Sequence, residues 1–164
     1  MNDGREVLDS RDPSDAEHVR RYLATDGRSG YLEGGATNLV LSYTGRRSGR
    51  RYRTGLFFGE DRGRYVLVAS GGAVTHTHPK WYLSIAAEPR VEVQILAERF
   101  AATARTAHGE ERQRLWELMT RMAPVYHRYA AVTRREIPVV VLTRVGDERQ
   151  DDEQAGTVRA GAGS

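Results

Sequence analysis

Residues 46–53 read RRSGRRYR, five arginines in eight positions with no acid among them. Thr44-Gly45-Arg46-Arg47-Ser48-Gly49 joins two segments of strand character. Its two glycines free the backbone to bend until successive N–H groups point into one concavity, and the Ser48 hydroxyl and the arginines add donors around it. A protein can hold a phosphate in this way without a helix N-terminus. The same spacing also describes a solvated hairpin tip. A nucleic-acid patch is a third reading, with only Tyr52 interleaved and no run of stacking aromatics. Of 25 basic residues only Lys80 is lysine. A GC-rich genome gives such a bias without function, so the positions of the arginines have to carry the claim.

Further along, Ser70-Gly71-Gly72-Ala73 follows a strong strand, where paired glycines let a flat ligand approach the backbone or simply make a loose turn. His76 and His78, two apart with no carboxylate or cysteine nearby, are a weak metal signal, and no metal is expected. Trp81 and Tyr82 at a helix start read first as core. Tyr126 and Tyr129, three apart, share a helical face, with half-buried packing as their plain reading. Cysteine is absent, which removes thiolate nucleophiles, thiolate metal sites and disulfides and suits a reducing compartment. No nucleophile elbow, P-loop or paired-carboxylate signature appears. Such a chain, if an enzyme, borrows its reactivity from a cofactor.

These residues need a frame. A Ser14/Glu17 capping box predicts a helix over 15–24. Strands are expected at 38–43, 52–59, 64–70, 90–96, 99–107 and 137–142, with Gly55 a bulge or close-approach point and Asp61-Arg62-Gly63 a hairpin turn. The 90–96 and 99–107 strands pair across Ala97-Glu98. Pro138 predicts an edge or first-residue position. Helices are expected at 80–87 and 109–122, with a further helical stretch around Tyr126 and Tyr129. The fold class is therefore mainly β with α decoration, a small barrel of about six mostly antiparallel strands. A doubly wound dinucleotide fold is not expected, because no glycine-rich turn joins a strand to a helix in fingerprint spacing.

At 164 residues one core is expected. The division reads as a helical arm and loop (1–35), a barrel body (36–146) and a disordered charged, Gly/Ala-rich tail (147–164). Apolar runs such as Ile137 to Leu142 are too short to span a bilayer, and the polar N-terminus has no secretory character, so the cytoplasm is the expected compartment.

The segments LVLSYTGRRSGRRYRT, VLVASGGA, HPKWYLSI, VEVQI and REIPVVVL, in that order, resemble the deazaflavin-dependent nitroreductase family over roughly residues 36–145. The resemblance implies a split β-barrel of the flavin-binding type, coenzyme F420 as cofactor, and hydride transfer to an organic acceptor such as a quinone, an activated alkene or a nitro compound. It implies that Arg47, Ser48, Gly49 and Arg53 meet the cofactor phosphate, with neighbouring arginines, Arg46 included, near its carboxylates. Thr54, Gly55 and Leu56, and Val68, Ala69, Ser70 and Gly71, match segments lining the deazaflavin ring. Lys80, Trp81 and Tyr82 match a helix start closing over it. Tyr126 and Tyr129 match tyrosines that orient the acceptor and supply a proton. Two departures fall on the substrate side. The SGGAVTHTHPKWY loop is one residue longer than the family pattern, and Ala123 stands where the family carries a further tyrosine. Both bear on whether bulky nitroaromatics are accepted. Alternatives are a flavin-mononucleotide enzyme on the same barrel, a non-catalytic cofactor binder and, more remotely, a nucleic-acid-binding barrel. The partners expected are a small-molecule acceptor and no nucleic acid. Peripheral membrane contact through the N-terminal helix and the oligomeric state are left open.

Overall fold

The computed structural model describes residues 6–71 and 77–148. The readings made above for Gly72, Ala73, His76 and the tail from 149 onward lie outside them. Within them the order is β1 (Val7–Leu8), α1 (Pro13–Ala24), β2 (Leu32–Glu33), β3 (Ala36–Thr44), β4 (Arg51–Phe57), β5 (Gly59–Asp61), β6 (Arg64–Val68), α2 (Lys80–Ala87), β7 (Arg90–Ile95), β8 (Glu98–Thr106), α3 (Gly109–Met122), α4 (Val125–Val132) and β9 (Val139–Arg144). No helix among the described residues is long and apolar enough to cross a membrane.

The strands form one sheet in the order β1-β4-β3-β7-β8-β9-β6-β5, with β2 paired to the start of β3. Every pairing is antiparallel except β1 with β4. The order has two ends, so the sheet is open, and among the described residues the expected six strands are nine. The three added strands, β1, β2 and β5, are two or three residues long, too short to show a period. The expected 52–59 strand breaks at Phe58, which turns into the core. Thr37 and Phe58 exchange hydrogen bonds there, N–H to O at 3.0 Å and hydroxyl to O at 2.8 Å, and Gly59 starts a new strand.

Period-two alternation decides what the sheet encloses. Leu39 and Leu41 of β3, Leu67 of β6, Val91 and Val93 of β7, and Val140 and Leu142 of β9 meet Trp81 and Ile85 of α2 in one core. Strands from both halves of the order feed that core, so the sheet curls around it. The opposite face of β6 and β9 (Val66, Val68, Val139, Val141) packs on Leu115 and Met119 of α3 and on Tyr126. β9 is buried on both faces, which is why its sequence is an unbroken apolar run. Each such side chain contributes roughly 1.5–3 kcal/mol. Pro138 immediately precedes β9, which is an interior strand, so its edge reading is corrected and the strand-start reading stands. Its missing N–H loses nothing there, while its carbonyl accepts from Ala69 N at 2.9 Å.

α1 is capped by Asp12, not Ser14. The Asp12 carboxylate accepts from Ser14 N at 2.9 Å with Pro13 in the first turn, where proline's fixed φ suits a helix start. The β7–β8 turn is Leu96-Ala97, one residue earlier than expected, since Ile95 pairs with Glu98. At Gly55 the β3–β4 register is unbroken, so it is a close-approach point and no bulge. A Cβ there would lie 2.5 Å from Nδ1 of His18 in α1. That fit lets Asp15 accept from Gly55 N at 2.9 Å and from the Thr54 hydroxyl at 2.7 Å, fixing α1 along the outer edge of β4.

Candidate functional site

The β3–β4 loop is a tight turn. Gly45 N donates to Arg50 O at 2.8 Å and Gly49 N to Gly45 O at 2.9 Å. A Cβ on Gly45 would lie 2.7 Å from the Tyr52 ring, so glycine lets Tyr52 fold against the turn. The Ser48 hydroxyl accepts from Arg50 N at 3.1 Å and lies 3.1 Å from the Tyr52 hydroxyl. Arg46 N donates to Ser84 of α2 at 3.2 Å, which docks the loop on that helix. Tyr43 and Tyr52 stack at 5.9 Å. Burial, then the neighbouring phenol of Tyr52, pushes the Tyr43 phenol up to about 12. The side chains of Arg46 and Arg47 stay exposed and have no ion-pair partner among the described residues.

Arg53 is not part of this group. The pleat puts Tyr52 and Leu56 toward the core and Arg51, Arg53 and Gly55 toward the α1 face. Arg53 Nε donates to Asp9 at 2.7 Å, and Arg51 binds Thr44 Oγ1 at 2.9 Å and Ser42 O. Both line a groove of about 760 Å³ on that face, with Arg90 and Arg99 on its far side. The residue of β4 that reaches Ser48 is Tyr52.

The second region lies where β4 and β6 come close without hydrogen-bonding to each other. Val68, Ala69 and Ser70 are buried, and Gly71 takes φ +63°, the left-handed region that glycine tolerates. Arg135, which the sequence reading did not single out, joins this strand end to the approach of α2. Its Nη1 donates to Ala69 O at 3.1 Å and to His78 Nδ1 at 3.0 Å, and its Nη2 to Ser70 O at 2.6 Å. Burial, then the Arg135 charge, holds the His78 imidazole below its ordinary value, consistent with a neutral ring that accepts through Nδ1. His78 packs on Tyr82 at 5.1 Å, and the Tyr82 hydroxyl meets Thr106 Oγ1 at 2.7 Å. Trp81 is buried in the core and Lys80 is exposed.

Tyr126 is 4% exposed, with its ring 6.4 Å from Phe57 and 6.3 Å from half-buried Tyr129. Burial raises its phenol well above the usual tyrosine range, so it stays protonated. Its hydroxyl has no hydrogen-bond partner among the described residues. Phe57 ends β4 and Arg51 begins it, a span of roughly 20 Å at ~3.3 Å per residue. The arginine turn and the buried tyrosine thus mark opposite ends of one strand, with Thr54, Gly55 and Leu56 between. The signal for Arg135 was present only as its place in the REIPVVVL segment. For Asp15 and Phe57 there was none.

The family described as F420H(2)-dependent quinone reductase matches residues 15–144. An F420H(2)-dependent quinone reductase of Mycobacterium tuberculosis is 36% identical over 131 residues, covering 77% of this chain and 87% of the relative. Among solved structures, an F420-H2 dependent reductase (FDR-A) is 36% identical with a TM-score of 0.60, covering 65% of this chain and 93% of its own. A structure described as a domain-swapped dimer is 34% identical with a TM-score of 0.63, covering 77% and 92%.

Proposed function

The chain belongs to the F420H(2)-dependent quinone reductase family, and from that premise we propose how its own residues carry hydride transfer from reduced coenzyme F420 to a quinone. Among the described residues, the observation that carries the assignment of roles is the pair of unpaired guanidinium groups, Arg46 and Arg47, beside Ser48 and Gly49. They sit at one end of a strand whose other end holds a buried tyrosine without a hydrogen-bond partner. These groups fit the cofactor: two free cations and a hydroxyl on a tight turn suit a phosphate and the carboxylates near it.

Arg47, Ser48 and Gly49 hold the phosphate, and Arg46 meets the carboxylates. Thr54 and Leu56 of β4, Val68 at the end of β6 and Ala69, Ser70 and Gly71 beyond it line the ring, with Lys80 and Tyr82 at its rim, while Gly55, facing α1 with its N–H held by Asp15, acts at one remove. Trp81 acts from the core beneath. Arg53 acts at one remove, pinning Asp9 and the N-terminal segment to β4. The described residues of the 36–146 segment form the cofactor-binding body of a split barrel, and residues 6–35 an arm along its edge.

Bound between these residues, the deazaflavin would supply a hydride, which carries both electrons. The acceptor that receives it becomes an anion on oxygen and then takes one proton. Tyr126 stabilises that oxygen by donating a hydrogen bond. Its raised pKa makes it a steady donor and a reluctant acid, so water delivers the proton past Tyr129. Positioned donors of this kind contribute about 10²–10⁴-fold. Activated alkenes follow the same course. Ala123 leaves no hydroxyl beside Tyr126 for a nitro group, so quinones are the better acceptors.

Titrating the protein with coenzyme F420 and, separately, with flavin mononucleotide, then following oxidation of the reduced deazaflavin by a soluble naphthoquinone, tests this reading. Saturable F420 binding with quinone-dependent turnover is expected. Tighter binding of flavin mononucleotide, or F420 binding without turnover, would overturn it. Light scattering of the same sample reports whether the chain dimerises, as one similar structure does.

A further inference from the structure

We propose that Arg135 is a positioning residue for the reaction, setting the direction of the Ser70 and Gly71 backbone amides along the ring-side wall. The inference rests on the cofactor site proposed above. Arg135 lies between α4 and β9, close to none of its contacts in sequence. Its guanidinium nevertheless takes three acceptors at once: Ala69 O, Ser70 O and His78 Nδ1, at 3.1, 2.6 and 3.0 Å. Ala69 is held from the other side as well, by its N–H to Pro138 O at 2.9 Å.

The consequence follows from peptide geometry. No peptide bond here is cis, and in a trans peptide the N–H points opposite to the preceding carbonyl. Clamping the Ala69 and Ser70 carbonyls toward Arg135 therefore turns the N–H groups of Ser70 and Gly71 away from it. Neither amide has a hydrogen-bond partner among the described residues. Consecutive amides of this kind form a concavity suited to an acceptor oxygen or nitrogen. The third contact sets the spacing between this strand end and the start of α2, because His78 stands two residues before Lys80. One planar, forked cation thus fixes both sides of the ring end, a task for which a lysine point charge has too few fixed donors. Arg135 does not touch the arginine turn, so its effect should fall on the chemistry and spare the phosphate grip.

The test compares wild type with Arg135→Gln and Arg135→Lys. Misplacing a reacting group by about 1 Å can lower a rate a hundredfold. Turnover of a naphthoquinone at saturating cofactor should accordingly fall about ten- to a hundredfold in both variants, with F420 affinity changed less than roughly threefold, a split that separates chemistry from binding. The absorption band of bound F420 should shift, reporting the altered ring environment. In the cofactor-free protein, hydrogen exchange should rise at Ala69 and at the start of α2 and stay unchanged in β3 and β4. Unchanged exchange at Ala69 overturns the proposal whatever the ligand. Equal loss of affinity and turnover also overturns it, as does full turnover in Arg135→Lys. A wild type that neither binds nor oxidises reduced F420 defeats the functional reading, and the exchange result then decides the role of Arg135 alone.

Discussion

Arginine does two different jobs in two regions of this molecule. Where β5, β6, β8 and α3 meet, Arg64, Arg105 and Arg114 are spent on acids. Arg64 meets Asp61 at 2.9 Å and Glu111 at 3.2 Å, Arg105 meets Glu111 at 2.6 Å, and Arg114 meets Asp61 at 2.6 Å. The side chains of Arg64, Asp61 and Glu111 are 4%, 10% and 13% exposed. In the β3–β4 turn, by contrast, Arg46 and Arg47 are exposed and have no acid partner among the described residues. The difference is the supply of carboxylates nearby, not the residue type. A paired, buried guanidinium staples strands to a helix, while an unpaired one on a glycine turn remains available to a ligand anion.

The largest expected effect comes from breaking the staple. Glu111→Gln removes the carboxylate that Arg64 and Arg105 share, leaves Asp61 to balance Arg64 in a nearly closed site, and should destabilise the protein by about 3 kcal/mol, the low end for removal of one member of a buried ion pair. Urea unfolding measures this, and a loss below ~1 kcal/mol, the range of surface pairs, would show the cluster to be effectively solvated. Acid should have the same effect. The Arg105 hydrogen bonds hold Glu111 below its ordinary 4.5. For Asp61, burial alone would raise the carboxyl, but Arg114 and Arg64 hold it below 3.8. Both contribute stability that is complete above those ordinary values and is lost as pH falls through the lowered ones. The wild type should therefore weaken below about pH 4.5, and Glu111→Gln should flatten that dependence.

A smaller effect is expected at the other end of β4. Tyr126→Phe keeps the ring against Phe57 and removes only the hydroxyl. Quinone turnover should fall roughly tenfold, the low end for a positioned donor, with F420 affinity unmoved. Full turnover would leave Tyr126 as packing. The smallest effect belongs to Arg53→Ala. Because Arg53 faces Asp9, F420 affinity should change by less than about twofold, with stability lowered by up to ~1 kcal/mol, as for an exposed or half-exposed pair. A tenfold loss of affinity would return Arg53 to the phosphate grip.

These contrasts were partly legible in the sequence. α2 and α3 have the bounds their periodicity predicted, and the long strands fall within two residues or so at most ends, because a half-buried strand must alternate and an amphipathic helix must repeat. The turn at Gly45–Gly49 was legible from its glycines. Arg53 was grouped with Ser48 although strand parity puts it on the face opposite Tyr52, and which face meets Ser48 depends on how the turn docks on Ser84, a contact 38 residues away. Arg135 was hidden for the same reason, since its acceptors lie 57 to 66 residues off and leave no local pattern. β1, β2 and β5 were too short to carry one.

The central claim is that the unpaired arginines of the β3–β4 turn, and not arginine in general, hold the anionic end of the cofactor. Fluorescence titration of F420 into Arg47→Ala and, side by side, Arg114→Ala tests it most directly. Charge-assisted contacts are worth roughly 1.5–3 kcal/mol, so Arg47→Ala should bind about ten- to a hundredfold more weakly, at ~1.4 kcal/mol per tenfold, while Arg114→Ala, if folded, binds like the wild type. Equal affinities for Arg47→Ala and the wild type would contradict the account.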